Sequence, residues 1–146
     1  METLDESIEV AKLFQEVMQL FKHNMSKLLE ETGMSMPQGM VIGLLGKKKK
    51  MKITELSNEL CLSNSTVSGI IDRLEKSEMV VRERSEEDRR VVYVSIAPNF
   101  KSMHKIFHNQ VEKSVEDIMS RGSEEEIHKI FEGLGTLKRL LSIEKK

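Results

Sequence analysis

Between Thr54 and Ile96 the spacing of apolar residues changes its period, and this change limits the fold more than any other feature of the chain. Two short segments with helical spacing, Thr54 to Leu60 and Asn64 to about Glu78, are separated only by Cys61-Leu62-Ser63. Three residues are the length of connection that joins two helices at a steep angle. Beyond Met79, Val80-Val81-Arg82-Glu83-Arg84 and Val91-Val92-Tyr93-Val94-Ser95-Ile96 are rich in β-branched residues. The turn-like Ser85-Glu86-Glu87-Asp88 lies between them, so the pattern predicts a two-stranded hairpin, ended by Pro98.

Helices flank this unit. Leu4, Ile8, Ala11, Phe14, Met18, Phe21, Met25 and Leu28 or Leu29 recur three or four apart and predict one amphipathic helix from Leu4 to about Glu31. Thr32-Gly33 stops it, and Ser35-Met36-Pro37 starts the next, with Ser35 as cap and Pro37 in the first turn. Met40, Val41, Leu44 and Leu45 form the buried stripe of that second helix. From Asn99 the helical period returns, breaks at Gly122-Ser123, and resumes through Ile127, Ile130, Phe131, Leu134, Leu137, Leu140 and Leu141. The fold class expected is mainly α (α+β): a winged helix-turn-helix over residues 35–97, with flanking helices over 1–34 and 98–146. These helices have more apolar stripe than the middle unit can cover, which pairing of two chains would bury; a monomeric helical cap is the alternative.

Composition narrows the function. The chain has 146 residues and one cysteine, Cys61, which rules out an internal disulfide framework and suits a reducing compartment. No stretch approaches the roughly 18 apolar residues that span a bilayer, and the first residues are acidic rather than a basic leader, so a cytoplasmic protein with no membrane partner is expected. The net charge of −1 is unhelpful for binding phosphate, but its distribution is uneven. Residues 1–46 hold three basic and seven acidic side chains, residues 47–90 eleven and nine, and residues 91–146 nine and eight. The middle is the most basic part.

In the second helix of the pair, Val67, Ile70, Ile71 and Leu74 form an apolar face. Ser65, Gly69, Asp72 and Lys76 lie opposite, with Thr66, Ser68 and Arg73 on the shoulders. Such a small polar face fits a DNA major groove about 12 Å wide, and Gly69 would allow close approach. It also fits an ordinary solvated helix surface. The hairpin decides between them: at its tip Asp88 and Arg90, two residues apart, project together, so the carboxylate can aim the guanidinium, and an aimed arginine suits the negative minor groove. Double-stranded DNA is therefore the expected partner. The expected DNA-binding set has Lys47, Lys48, Lys49, Lys50, Lys52, Arg73 and Arg84 on phosphates, and Ser65, Thr66 and Ser68 on bases. It adds Asn64, Gly69 and Arg89 around them, and Arg90 with Asp88 in the minor groove. The four-lysine run reads equally as a solvated loop.

The stretch from Thr54 to Ile96 resembles the MarR family of bacterial and archaeal transcriptional regulators, through both helices, the Asp72-Arg73-Leu74-Glu75 close and the Asp88-Arg89-Arg90 wing. The resemblance implies a homodimer with interleaved terminal helices, two recognition helices on a near-palindromic site, and Arg90 of each wing in a flanking minor groove. It also implies a regulator, usually a repressor, released by a small-molecule effector. Two departures stand out. Ile96-Ala97-Pro98-Asn99-Phe100 lacks the Leu-Thr and later Gly that commonly follow the wing, and Gly39 replaces a large aromatic after Gln38, which enlarges or abolishes a pocket at the hinge.

Other residues invite different readings. Cys61 is either a redox sensor or a small packing residue in the turn, and the packing role is expected. His104 and His108 have metal-ligand spacing but no third ligand, so no metal or other cofactor is expected. Methionines such as Met18, Met25, Met34, Met36 and Met40 are expected mostly in the core, with a share lining an adaptable pocket. No phosphate-cradling loop, activated nucleophile or carboxylate pair suggests an enzyme. The remaining alternative is a protein-interaction module built on the winged fold.

Overall fold

The computed structural model describes residues 2–143. It divides into a unit that runs through His108 and one that begins at Asn109. The elements of the first are α1 (Glu2–Glu30), α2 (Met36–Lys48), β1 (Lys50–Lys52), α3 (Ile53–Leu60), α4 (Asn64–Lys76), β2 (Val80–Arg84) and β3 (Val92–Ile96). A 3-10 turn, Pro98–Phe100, leads into α5 (Lys101–Met119), and α6 (Glu124–Leu141) completes the second unit.

The junctions follow from local chemistry. Gly33, at φ 73°, turns the chain out of α1 in the left-handed region that glycine tolerates. Ser35 then caps α2: its hydroxyl accepts from the Gln38 amide at 3.4 Å, while Gln38 Oε1 accepts from the Ser35 amide at 3.0 Å. This reciprocal box satisfies two amides that the first turn leaves without helical partners. Ser63 caps α4 by accepting from the Thr66 amide at 3.1 Å. Ser123 and Glu126 form a second box at the start of α6.

The lysine run is neither one loop nor wholly outside regular structure. Lys47 and Lys48 close α2, Lys49 turns at φ 66°, and Lys50 opens a third strand that sequence periodicity does not reveal. The reason is Met51, 1% exposed and paired in register with Val94, which is fully buried. One apolar residue between lysines is enough to anchor a three-residue edge. The sheet is antiparallel in the order β1-β3-β2, so the expected hairpin is present with β1 added to its outer edge. Lysines on such an edge also discourage pairing with another sheet.

The core lies between the sheet and helices α2, α3 and α4. Ile42, Leu45, Met51, Leu56, Ile71, Leu74, Val67, Val80 and Val94 are all below 2% exposed. Burying each such side chain is worth about 1.5–3 kcal/mol, which makes this cluster the main stabilising term of the unit. The α1 stripe behaves differently. Met25 and Leu29 are buried, but Leu4, Ile8, Leu13, Phe14, Met18 and Phe21 remain exposed in the single chain. Methionine is likewise divided: Met25, Met34 and Met51 belong to the core, whereas Met18 and Met40 are about half exposed, contrary to the expectation for those two. In α6, Ile127, Ile130, Phe131, Leu134, Leu140 and Leu141 are also exposed. Among the described residues no helix is long and apolar enough to cross a membrane.

Candidate nucleic-acid interface

Helix α4 is held at its start by the turn before it. Ser57, the buried polar residue of α3 at 6% exposed, lies with its Oγ 3.0 Å from the Leu62 carbonyl and 2.6 Å from Asn64 Oδ1. Asn64 is thus tied into the turn. Cys61 ends α3 at φ 53° with an exposed side chain. The packing role expected of it is therefore wrong: the position is governed by a left-handed backbone, not by a small apolar slot.

Val67, Ile70, Ile71 and Leu74 turn inward as expected. Ser65, Thr66 and Arg73 are exposed, Ser68 and Gly69 are half-buried, and a Cβ on Gly69 would meet nothing within 4 Å. The hydroxyls at the start of α4 form their own network, Ser63 to Thr66 at 2.7 Å and Ser63 to Ser65 at 3.2 Å. Asp72 is exposed but not unpartnered. It pairs with Arg82 of β2, a partner the sequence reading missed.

The wing tip carries the geometry expected of Asp88 and Arg90. Arg90 donates from Nε to Asp88 Oδ1 at 3.1 Å, from Nη2 to Oδ2 at 3.2 Å, and from its backbone amide to Oδ1 at 3.1 Å. These bonds hold the Asp88 carboxyl below its ordinary pKa. Arg90 itself is 91% exposed, so its guanidinium is aimed yet open to a ligand. Arg84 donates to the Arg89 carbonyl at 2.8 Å, and the Ser85 hydroxyl accepts from the Asp88 amide at 3.3 Å. Arg84 is thus bound within the wing as well as being a cation, and Arg89 is exposed.

The other cations are spread over the same unit. Lys48 is bonded to Glu59 of α3 at 2.8 Å, which raises the lysine pKa and lowers that of the glutamate. Lys50 and Lys52 stand 4.6 and 5.9 Å from the centre of the Tyr93 ring, where the π face attracts them. Lys47 and Lys49 are exposed. Tyr93 was not singled out from sequence, although register places it opposite Lys52.

At the base of the wing a cleft of about 500 Å³ is lined by residues of α2 and the turn after it, β2, β3 and the first turn of α5, including Lys49, Glu83, Lys101 and His104. The His104 ring lies over Gly46, where a Cβ would come within 2.5 Å of Cε1. Burial and neighbouring His108 push the His104 pKa down. The two rings stack with centroids 6.2 Å apart. A Cβ on Gly39 would lie 2.8 Å from Leu29 Cδ2, so Leu29 packs directly against this position.

Residues 34–92 match the MarR family model. An uncharacterized HTH-type transcriptional regulator of Bacillus subtilis (strain 168), YfiV, is 38% identical over 117 residues, covering 77% of this chain and 71% of that protein. The fold is similar to that of Streptococcus pneumoniae FabT, solved in complex with DNA, with TM-score 0.72 and 26% identity over 88% of this chain and 96% of that one. A MarR family protein from Bacillus stearothermophilus shares the fold at TM-score 0.81 and 22% identity, over 92% and 94% of the two chains.

Proposed function

This chain belongs to the MarR family of DNA-binding transcriptional regulators, which are not enzymes, and we propose that it acts as a homodimeric repressor of a near-palindromic operator, released by a small molecule. The observation that carries the proposal is the pairing of a hydroxyl-lined α4 with an exposed, carboxylate-aimed Arg90 in one compact unit. Ser65, Thr66 and Ser68 read base edges in the major groove, and Arg90 enters the flanking minor groove. Lys47, Lys49, Lys50, Lys52, Arg73 and Arg89 position the phosphates, with Asn64 fixing the helix start, Gly69 giving clearance, and Lys48 and Arg84 adding charge from tied positions.

The dimer is supported by the apolar faces of α1 and α6, which a single chain leaves in water. Effector release is supported by the cleft at the wing base, because a molecule seated there touches both the reading unit and the first turn of α5. The site of action is the cytoplasm, where the genomes of bacterial relatives lie.

Selection of bound sequences from random DNA tests the reading. A palindromic consensus, bound as one dimer per site with affinity that falls steeply with salt, is the expected result. Failure to bind any duplex at low salt would overturn it. Promoter-driven transcription in vitro, with the selected site placed over the start, distinguishes repression from activation.

A further inference from the structure

We propose that Arg82 and Asp72 form a positioning brace that fixes the wing at a set distance from the recognition helix, so that α4 and Arg90 reach adjacent grooves together. Side chains on β2 alternate faces. Val80, Arg82 and Arg84 share the face whose register partners on β3 are Ile96, Val94 and Val92. Along that face Val80 is anchored in the core, Arg82 reaches Asp72 of α4, and Arg84 binds the Arg89 carbonyl at the tip. Three alternate positions on one face of the strand therefore tie the wing to the core, to the reading helix and to its own end.

Stability does not account for the pair. Asp72 is 64% exposed, and ion pairs in such surroundings add little to folding. An acidic group on the outward half of a DNA-reading helix also repels phosphate. Its presence on α4 makes sense when its charge is spent on Arg82 and its effect is directional, since a charge-assisted pair fixes orientation.

The inference rests on Arg90 entering the minor groove, and the test separates the two ideas. The probe is a duplex carrying the sequence that the full-length protein selects from random DNA. Removing a negative charge near DNA ordinarily tightens binding. The brace predicts the opposite sign: Asp72→Asn and Arg82→Ala each weaken binding by about fivefold, and Arg90→Ala by about tenfold or more. Arg82→Ala combined with Arg90→Ala should be no weaker than Arg90→Ala alone by more than about twofold, because both act through the same wing contact. The reversed pair, Asp72→Arg with Arg82→Asp, should regain affinity and the minor-groove protection seen in hydroxyl-radical footprints.

Tighter binding by Asp72→Asn would overturn the brace, as would additive losses in the double variant. A fall of about one in the salt slope for Arg82→Ala would mark a direct phosphate contact instead. If both Asp72→Asn and Arg82→Ala fail to fold, the pair is a folding element and the proposal is wrong. Normal binding by Arg90→Ala removes the minor-groove reading itself, whereas a normal Arg90 effect with an inert Asp72→Asn removes only the brace.

Discussion

Ser57 and Asn64 meet across the turn between α3 and α4, with Ser57 Oγ 2.6 Å from Asn64 Oδ1 and 3.0 Å from the Leu62 carbonyl. The contact is part-buried, on the buried Ser57 side, and ties the start of α4 to the end of α3. Ser57→Ala removes the hydroxyl and leaves its neighbours underbonded, which should lower stability by about 1–3 kcal/mol. A reduced urea midpoint at unchanged slope is the expected signature. An unaltered midpoint would show that the turn is held by backbone bonds alone.

Arg90→Ala should weaken operator binding by about 1–3 kcal/mol, the scale of one lost specific contact. Asp88→Asn keeps the arginine but loosens its aim, so a smaller loss is expected in anisotropy titrations. The Asp88 carboxyl has a lowered pKa, so the grip is complete above the ordinary value and is lost only as pH falls through the lower, folded-state value. Wild-type affinity should therefore show no Asp88-dependent change between pH 5 and pH 8, taking those bounds as roughly the usual assay range.

Leu29 occupies the space beside Gly39, so Gly39→Phe overpacks the contact between α1 and α2. A loss of about 1–3 kcal/mol in thermal or chemical unfolding is expected. Leu29→Ala combined with Gly39→Phe should recover part of it by opening the slot. Equal destabilisation in the single and double variants would place the strain elsewhere.

His104 gives the unit a pH response of definite sign. Its pKa is lowered by burial and by His108, so the unfolded chain binds the proton more readily than the folded one. Lys49, Glu83 and Lys101 line the same cleft. Stability from this group is complete above the ordinary histidine value near 6.5 and declines as pH falls below it, until the lower folded-state pKa is passed. The wild-type melting temperature should drop over that window more than that of His104→Gln. Parallel curves for the two proteins would exclude His104 as the source.

Sequence pattern was most informative where period and cap chemistry agree. Ser35, Pro37 and Gln38 marked the start of α2, and the Asp88-Arg90 spacing carried its own geometry because the two residues need only a turn between them. What escaped depends on contacts distant in the chain. Strand β1 exists because Met51 finds Val94, and a run of lysines conceals a single buried residue. Asp72 looked outward on a helical wheel, yet Arg82 ten residues later folds back onto it. Cys61 was misread because its residue type suggested packing, while its backbone angle was what the turn required.

Helix α4 meets the core through Val67, Ile70, Ile71 and Leu74, none more than 6% exposed, while Ser65 and Thr66 each bond to the capping Ser63 on the far side. The residues that fold the helix and those proposed to read DNA therefore lie on separate sides of it. A duplicated copy of this gene could exchange its outward hydroxyls for other polar groups, acquire a new target, and keep its scaffold. That separation lets a lineage diversify its regulatory wiring by small steps without passing through unfolded intermediates.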